Sequence, residues 1–294
     1  MNISTEQIDP LDKEAKQYKK YSFKEKKKLK TIAGGASDIG VRPANEDTFR
    51  IIPNAQQLVP MKKNKKMGCE YYGLFDGHNG LEASKFCAEL MHEEILEDPD
   101  FVNGYYENCM VNAYYRMDWL LCNYHIKDNS GCTSVTALIQ GRYLVVANVG
   151  DSECLVIKCR YSNEVEVLTY KHTAKDESEK QRMKSKGGIV FNGRVYGSMV
   201  VSRSLGDKTY KGKGVVIPEP YINIYELTSD DKIIVLACDG VFEKMSYDDV
   251  MEYVCTQKQQ GKNPQEVARN LIQEAIARGS KDNVTAVIIF LNWC

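Results

Sequence analysis

The sequence predicts an α+β fold in which antiparallel sheets are covered by helices. Two observations carry this. Short segments rich in Val, Ile, Tyr and Thr recur between Gly, Asp and Asn, which is how strands are punctuated. Helical patterns fall in separate blocks rather than alternating with each strand, which argues for adjacent strands joined by tight turns.

The strands are expected over residues 68–75, 133–139, 143–149, 155–158, 165–169, 221–227, 232–237 and 284–291. Gln140-Gly141-Arg142 joins two of them closely enough for an antiparallel hairpin. A first helix is expected over 81–95, where Ala83, Phe86, Cys87, Leu90 and Met91 recur at helical spacing. A second covers much of 101–126. A third follows Asp176, with Glu179 completing a capping-box pattern and Gly187 beyond its end. Two more lie near the C-terminus. The clearer one has Asn263 as cap, Pro264 at its first position and Glu266 two residues on, then apolar Val267, Leu271 and Ile272.

Organisation is simple. Residues 1–30 read as a polar leader dense in lysine (Lys19, Lys20, Lys24, Lys26, Lys27, Lys28, Lys30), and residues 31–294 as one domain without internal repeats. The lysine run suits a nuclear address, an anionic docking patch, or simply a solvated tail.

Composition narrows the function classes. Of 294 residues 43% are hydrophobic and 27% charged, an ordinary globular balance, and a net charge of -1 lacks the basic footprint of a nucleic-acid-binding protein. The ten cysteines follow no paired spacing, and several sit in apolar runs, so a reduced setting, cytoplasmic or nuclear, is expected. The opening segment is polar and no apolar run approaches the roughly 20 residues of a spanning helix, so membrane insertion is not expected. Asn2 stands where N-myristoylation requires glycine.

The acids carry the chemical signal. Asp76 follows EYYGLF, Asp151 follows LVVANVG and Asp239 follows KIIVLAC, while Glu46 and Asp47 precede TFRII and Asp282 precedes NVTAVIIF. Each acid sits at the end of an apolar strand. Gly77, Gly150 and Gly240 beside three of them let the backbone bend or approach an ion. A single Asp-Gly is most often a turn. Acids from five parts of the chain, if brought together, would have to take up protons or bind cations. All-oxygen ligation selects hard ions such as Mg²⁺ or Mn²⁺, and no Cys/His cluster suggests zinc.

GVRPANEDTF (40–49), GLFDGHNG (73–80), GCTSVTALI (131–139), VANVGDSECLV (146–156), KSKGGIV (184–190), GSMVVSRSLGDK (197–208), VLACDGVFE (235–243) and SKDNVTAVII (280–289) resemble, in order, the successive motifs of the PP2C (PPM) family of metal-dependent serine/threonine protein phosphatases. The resemblance implies a β-sandwich of two antiparallel sheets flanked by helices, a four-layer α-β-β-α fold. It also implies two metal ions at one end. Asp76 is similar to the family's bridging aspartate, Gly77 to a carbonyl ligand, and Asp239 and Asp282 to the other direct ligands. Glu46 and Asp47 match acids that hold the ions largely through water. Asp151 resembles a ligand of a third ion, whose partner is often Asp where this chain has Glu243. Arg42 matches the phosphate-binding arginine and His78 the histidine proposed as general acid. The implied reaction is attack on a phosphoserine or phosphothreonine of a protein by a metal-bridging hydroxide, without a phosphoenzyme. Residues 173–205 match the family's flap, and Lys171 stands where an aspartate is common.

Three alternatives were weighed. Cys154-x5-Arg160 fits the bare cysteine-phosphatase pattern, but its bulky, glycine-free interior reads as a core strand. A catalytically silent scaffold of the same fold would usually lose ligand acids, which this chain retains. The lysines at 19–30 and at Lys62, Lys63, Lys65 and Lys66 are the only support for nucleic-acid binding, and they read better as exposed loops.

Overall fold

Apolar residues on consecutive positions of a strand must bury both of its faces, and that requirement sets the layering. The structure, a computed structural model, describes residues 19–21, 29–58, 68–125, 129–159 and 163–293. The lysines at 62–66 and most of the leader lie outside these residues.

In chain order the strands are β1 (Leu29–Asp38), β2 (Thr48–Ile52), β3 (Cys69–Phe75), β4 (Gly77–His78), β5 (Gly131–Cys132), β6 (Ser134–Gln140), β7 (Tyr143–Val149) and β8 (Glu153–Cys159). There follow β9 (Asn163–Val167), β10 (Val190–Phe191), β11 (Arg194–Val195), β12 (Leu205–Gly206), β13 (Tyr221–Glu226), β14 (Asp231–Ala237) and β15 (Val284–Trp293). The helices are α1 (Glu82–Leu96), α2 (Pro99–Asn103), α3 (Tyr106–Leu120), α4 (Glu177–Ser185), α5 (Asp239–Phe242), α6 (Tyr247–Gln259) and α7 (Pro264–Ala277).

Two five-stranded antiparallel sheets form the body, one ordered β1-β15-β14-β8-β9 and the other β13-β7-β6-β3-β2. Alternation along each strand assigns its side chains to different layers. Tyr72, Leu74, Val135 and Val146 of the second sheet meet Val156, Ile234, Leu236 and Val287 of the first between the sheets. Tyr71, Leu138 and Val145 point the other way, onto Met91 and Ile95 of α1 and Met110 and Tyr114 of α3. Leu155, Ile233 and Val235 point outward onto Val250 and Val254 of α6 and Leu271 of α7. The α-β-β-α sandwich is therefore what the fold class predicted.

Several local expectations need correction. β1 begins at Leu29, two residues before the expected domain boundary, and pairs with β15 from Leu29↔Trp293 to Asp38↔Val284. Gly34, Gly35 and Lys30 hide it from a propensity reading, because partner strands rather than propensity hold it. The single helix expected over 101–126 is broken, since Gly104 takes φ 80° and caps α2. Asp176 caps α4 by accepting from the Glu179 N–H, but the Glu179 carboxylate does not return to the cap. Arg182, Ser202 and Arg203 take it instead. At α7 the box of Asn263 and Glu266 is complete, and a second box, Ser246 with Asp249, starts α6.

The expectation of unpaired cysteines is also corrected. Cys159 at the end of β8 and Cys255 of α6 form a disulfide across 96 residues of sequence. Packing of α6 on the outer face of the first sheet brings them together, which spacing cannot show. Cys154 lies wholly buried on β8, so residues 154–159 form a core strand as expected, and Arg160 lies outside the described residues.

Candidate active site

Antiparallel pairing collects the acidic strand ends at one edge of the sandwich. Thr48 opposes Phe75, so Asp47 and Asp76 are neighbours where β2 begins and β3 ends. Ala237 opposes both Ala286 and Glu153, which sets Asp239 beside the start of β15 and near the β7–β8 turn that carries Asp151. A cavity of about 510 Å³ opens there, lined by Arg42, Glu46, Asp76, Gly77, His78, Asp151, Asp239 and Asp282. Seven of the acids and bases singled out from sequence thus share it, and Asp47 is buried close behind, hydrogen-bonding Thr285 and feeling the charges of Asp239 and Asp282.

Each group is held by short-range geometry. The Arg42 guanidinium donates to Asp282 Oδ2 at 2.7 Å and to the Lys281 carbonyl at 3.1 Å. Glu46 Oε1 accepts from the Gly80 N–H at 2.7 Å, and Asp47 Oδ2 accepts from Thr285 Oγ1 at 2.6 Å. Gly77 is required by close approach, because a Cβ there would lie 2.2 Å from the Glu46 carbonyl oxygen. His78 Nε2 faces both carboxylate oxygens of fully buried Asp207 at 2.8 and 2.9 Å, and Ser204 donates to the same carboxylate.

Sequence reasoning missed Asp207 and Asn283. Asn283 donates to the Ile39 and Ala44 carbonyls and accepts from the Glu46 N–H, fixing the loop that carries Arg42. Both lie inside the quoted motifs, at SRSLGD and KDNV, but nothing in a lone Asp or Asn distinguishes a buried strut from a turn residue.

Glu243 sits apart. Its carboxylate accepts from the Lys281 N–H at 3.0 Å and pairs with Lys244, and it does not line the cavity. Lys171 reaches Glu153 at 2.6 Å, with its ammonium near the rings of Phe242 and Tyr247.

Electrostatics show what the cluster lacks. Burial, reinforced by the charges of Asp47, Asp239, Asp151 and Asp282, holds the Asp76 carboxyl well above the usual range. Burial pushes Asp47 up to about 6 against its Thr285 hydrogen bond, with Asp239 and Asp282 adding to the rise. Burial and then Asp239 push Asp151 up to about 7, opposed by Lys171 and His78. Burial and the Asp282 charge also raise Asp239. For His78, burial alone would lower the imidazole, but the Asp207 hydrogen bond and charge outweigh it and the net shift is upward.

These residues fit hard divalent cations. Carboxylate oxygens of Asp76 and Asp239 and the Cys238 sulfur lie within 4.8 Å of one another. Asp47 Oδ1 is buried with no hydrogen-bond partner among the described residues. The Cys238 thiol, pushed up by burial and by three carboxylates, stays protonated and takes backbone hydrogen bonds, which leaves the oxygens as ligands. Asp151 lines the cavity and Glu243 does not, so the structure does not bring that pair together there.

Comparison with known proteins shows the family. The family model described as Protein phosphatase 2C matches residues 35–284. The chain belongs to the protein phosphatase 2C family. It is 35% identical to Protein spalten of Dictyostelium discoideum over 277 residues, which is 90% of this chain but 28% of that protein. The chain therefore spans little more than a quarter of that relative. Protein phosphatase 2C homolog 1 of Saccharomyces cerevisiae is 32% identical over 242 residues, covering 75% of this chain and 82% of the relative. Among solved structures, a C. elegans sex determining protein matches with a TM-score of 0.76 and 28% identity, over 88% of this chain and 64% of that one. A serine-threonine phosphatase 2C from Toxoplasma gondii matches with a TM-score of 0.76 over 90% of this chain and 99% of its own, and at 24% identity it speaks for the fold.

Proposed function

We propose that this chain is a Mg²⁺- or Mn²⁺-dependent phosphatase that hydrolyses phosphoserine and phosphothreonine in proteins by direct attack of water-derived hydroxide on phosphorus, without a phosphoenzyme. The observation that carries the reading is the convergence of Asp76, Asp239 and Asp282 with Arg42 and His78 on one cavity. Asp76, the Gly77 carbonyl, Asp239 and Asp282 would hold two ions, with Glu46 and Asp47 supporting them. When bound, such a pair supplies charge stabilisation and a nucleophile near neutral pH.

The chain's own groups account for the rest. Arg42, exposed on the cavity rim, presents a planar fork suited to two phosphoryl oxygens. Asp207 fixes His78 by facing its Nε2, and the same carboxylate favours the protonated imidazole. The other ring nitrogen, Nδ1, is the one that would donate a proton to the leaving Ser or Thr oxygen.

Phosphate release from a phosphothreonine peptide, measured with bound metal in the same preparation, tests this. Turnover is expected with Mn²⁺ or Mg²⁺, none in EDTA, and none for Asp76→Asn or Asp239→Asn although both remain folded. Added Mn²⁺ should raise the melting temperature of the wild type and much less that of either variant. Undiminished turnover by metal-stripped protein would refute the mechanism, and a folded, metal-loaded but inactive wild type would favour the scaffold.

A further inference from the structure

The flap carries a feature that the chemistry at the cavity does not use. β10 and β11 form a hairpin with Val190 opposite Val195 and Phe191 opposite Arg194. Asn192 and Gly193 turn it, both at positive φ, as a two-residue hairpin turn requires. Side chains alternate across such a ribbon, so its two faces can be assigned residue by residue. Val190 and Val195 face inward, onto Met183, Met199 and Val215. Phe191 and Arg194 share the opposite face. The Tyr196 N–H bonds to the Ile189 carbonyl, which continues the pairing one step beyond the strands, where Tyr196 turns at φ 49°.

That outer face is unusually apolar. Ile189 is 63% exposed, Phe191 64% and Tyr196 48%, although each is large enough to be expected inside. The face also runs into the cavity. Arg194 is itself a lining residue, and its guanidinium is anchored on the Ser198 carbonyl. Tyr196 packs near Tyr210, another lining residue, at 6.3 Å between ring centroids. A peptide whose phosphorylated side chain enters the cavity must carry its neighbouring residues out over the rim. On the flap side that rim is this hairpin.

We propose that the outer face of the β10–β11 hairpin, Ile189 and Phe191 above all, docks an apolar side chain of the substrate polypeptide within a few residues of the phosphorylated one. The inference rests on the phosphatase reading and adds the substrate class to it, namely phosphosites flanked by large apolar residues. Docking removes two apolar surfaces from water together, and the site discriminates by what it buries rather than by a hydrogen bond.

The test compares two phosphothreonine peptides, one with Leu and Phe in the positions flanking the phosphothreonine and one with Ser in their place. Para-nitrophenyl phosphate, which has no flanking residues, is the control substrate. The wild type should show a kcat/KM roughly tenfold higher on the apolar peptide, the scale set by one buried apolar group. The double variant Ile189→Ser, Phe191→Ser should lose that preference and keep its turnover of para-nitrophenyl phosphate. Equal turnover of the two peptides by the wild type, or a preference that survives in the variant, overturns the docking inference while the phosphatase reading stands. Failure to hydrolyse any of the three substrates with Mn²⁺ overturns the phosphatase reading and this inference together.

Discussion

His78 shows how much one side chain owes to a residue far away in sequence. Its net upward shift depends on Asp207, 129 positions later, which is wholly buried and hydrogen-bonded by Ser204. A proton held on that ring matters only when the leaving group needs one. Serine and threonine alkoxides do, whereas para-nitrophenolate leaves readily without it. His78→Gln should therefore lower kcat on a phosphothreonine peptide by about 10²-fold or more and affect para-nitrophenyl phosphate far less. Asp207→Asn should move in the same direction, and equal losses on both substrates would show that the pair is structural. The candidate ligands were legible at this scale because each acid ends an apolar run. Asp207 was not, because its value lies in a contact that no local pattern encodes.

At the scale of elements, one buried carboxylate ties α4 to residues 202–203. Glu179 of α4 accepts from Arg203 and Arg182 and from the Ser202 hydroxyl. Arg182 also donates to the Gly214 and Val215 carbonyls, and Arg203 to that of Glu219. Burial opposes the Glu179 charge, yet these donors hold the carboxyl far below the ordinary range. Removing it would strand two guanidiniums in a poorly solvated place. Glu179→Ala should cost about 3 kcal/mol in urea unfolding, within the range for breaking a buried pair. It should also open the 186–200 segment to proteolysis before the body unfolds. The sequence placed Glu179 in a capping box, the local use of a glutamate at that position. Tertiary donors stronger than a backbone N–H took it instead.

Across the whole molecule, two buried histidines link stability to pH. Burial, with Arg50 adding, lowers His92 to about 4, and burial with Arg203 lowers His172 to about 3. An unfolded histidine titrates near 6.5, so between about pH 6.5 and 4 the unfolded chain binds more protons than the folded one. The histidines' contribution to stability then falls as the pH drops through that window, while the raised carboxyls of Asp76, Asp47, Asp151 and Asp239 contribute in the opposite sense. Glu179 adds to the loss once the pH passes below the unfolded glutamate range near 4.5, because its folded pKa is depressed. His92→Gln, if it folds, should therefore lose less stability, or gain more, than the wild type when urea midpoints are compared between pH 7 and 5.5. An identical pH dependence of the midpoint in the wild type and His92→Gln would contradict the buried neutral state of that ring.

What the sequence by itself determined was the alternation of apolar runs, the acids at their ends and the class of fold that buries both strand faces. These are local properties, set by side-chain chemistry and a repeat of two or 3.6 residues. It also placed Asp76, Gly77, Asp239 and Asp282 in one family pattern. Tertiary structure alone decided that β1 belongs to the first sheet and that Cys159 meets Cys255. It also decided that Glu179 serves two arginines, that His78 rests on Asp207 and that Glu243 turns away from the cavity. Each of those depends on partners distant in sequence whose pairing follows from strand register and layer packing. No window of neighbouring residues contains that information.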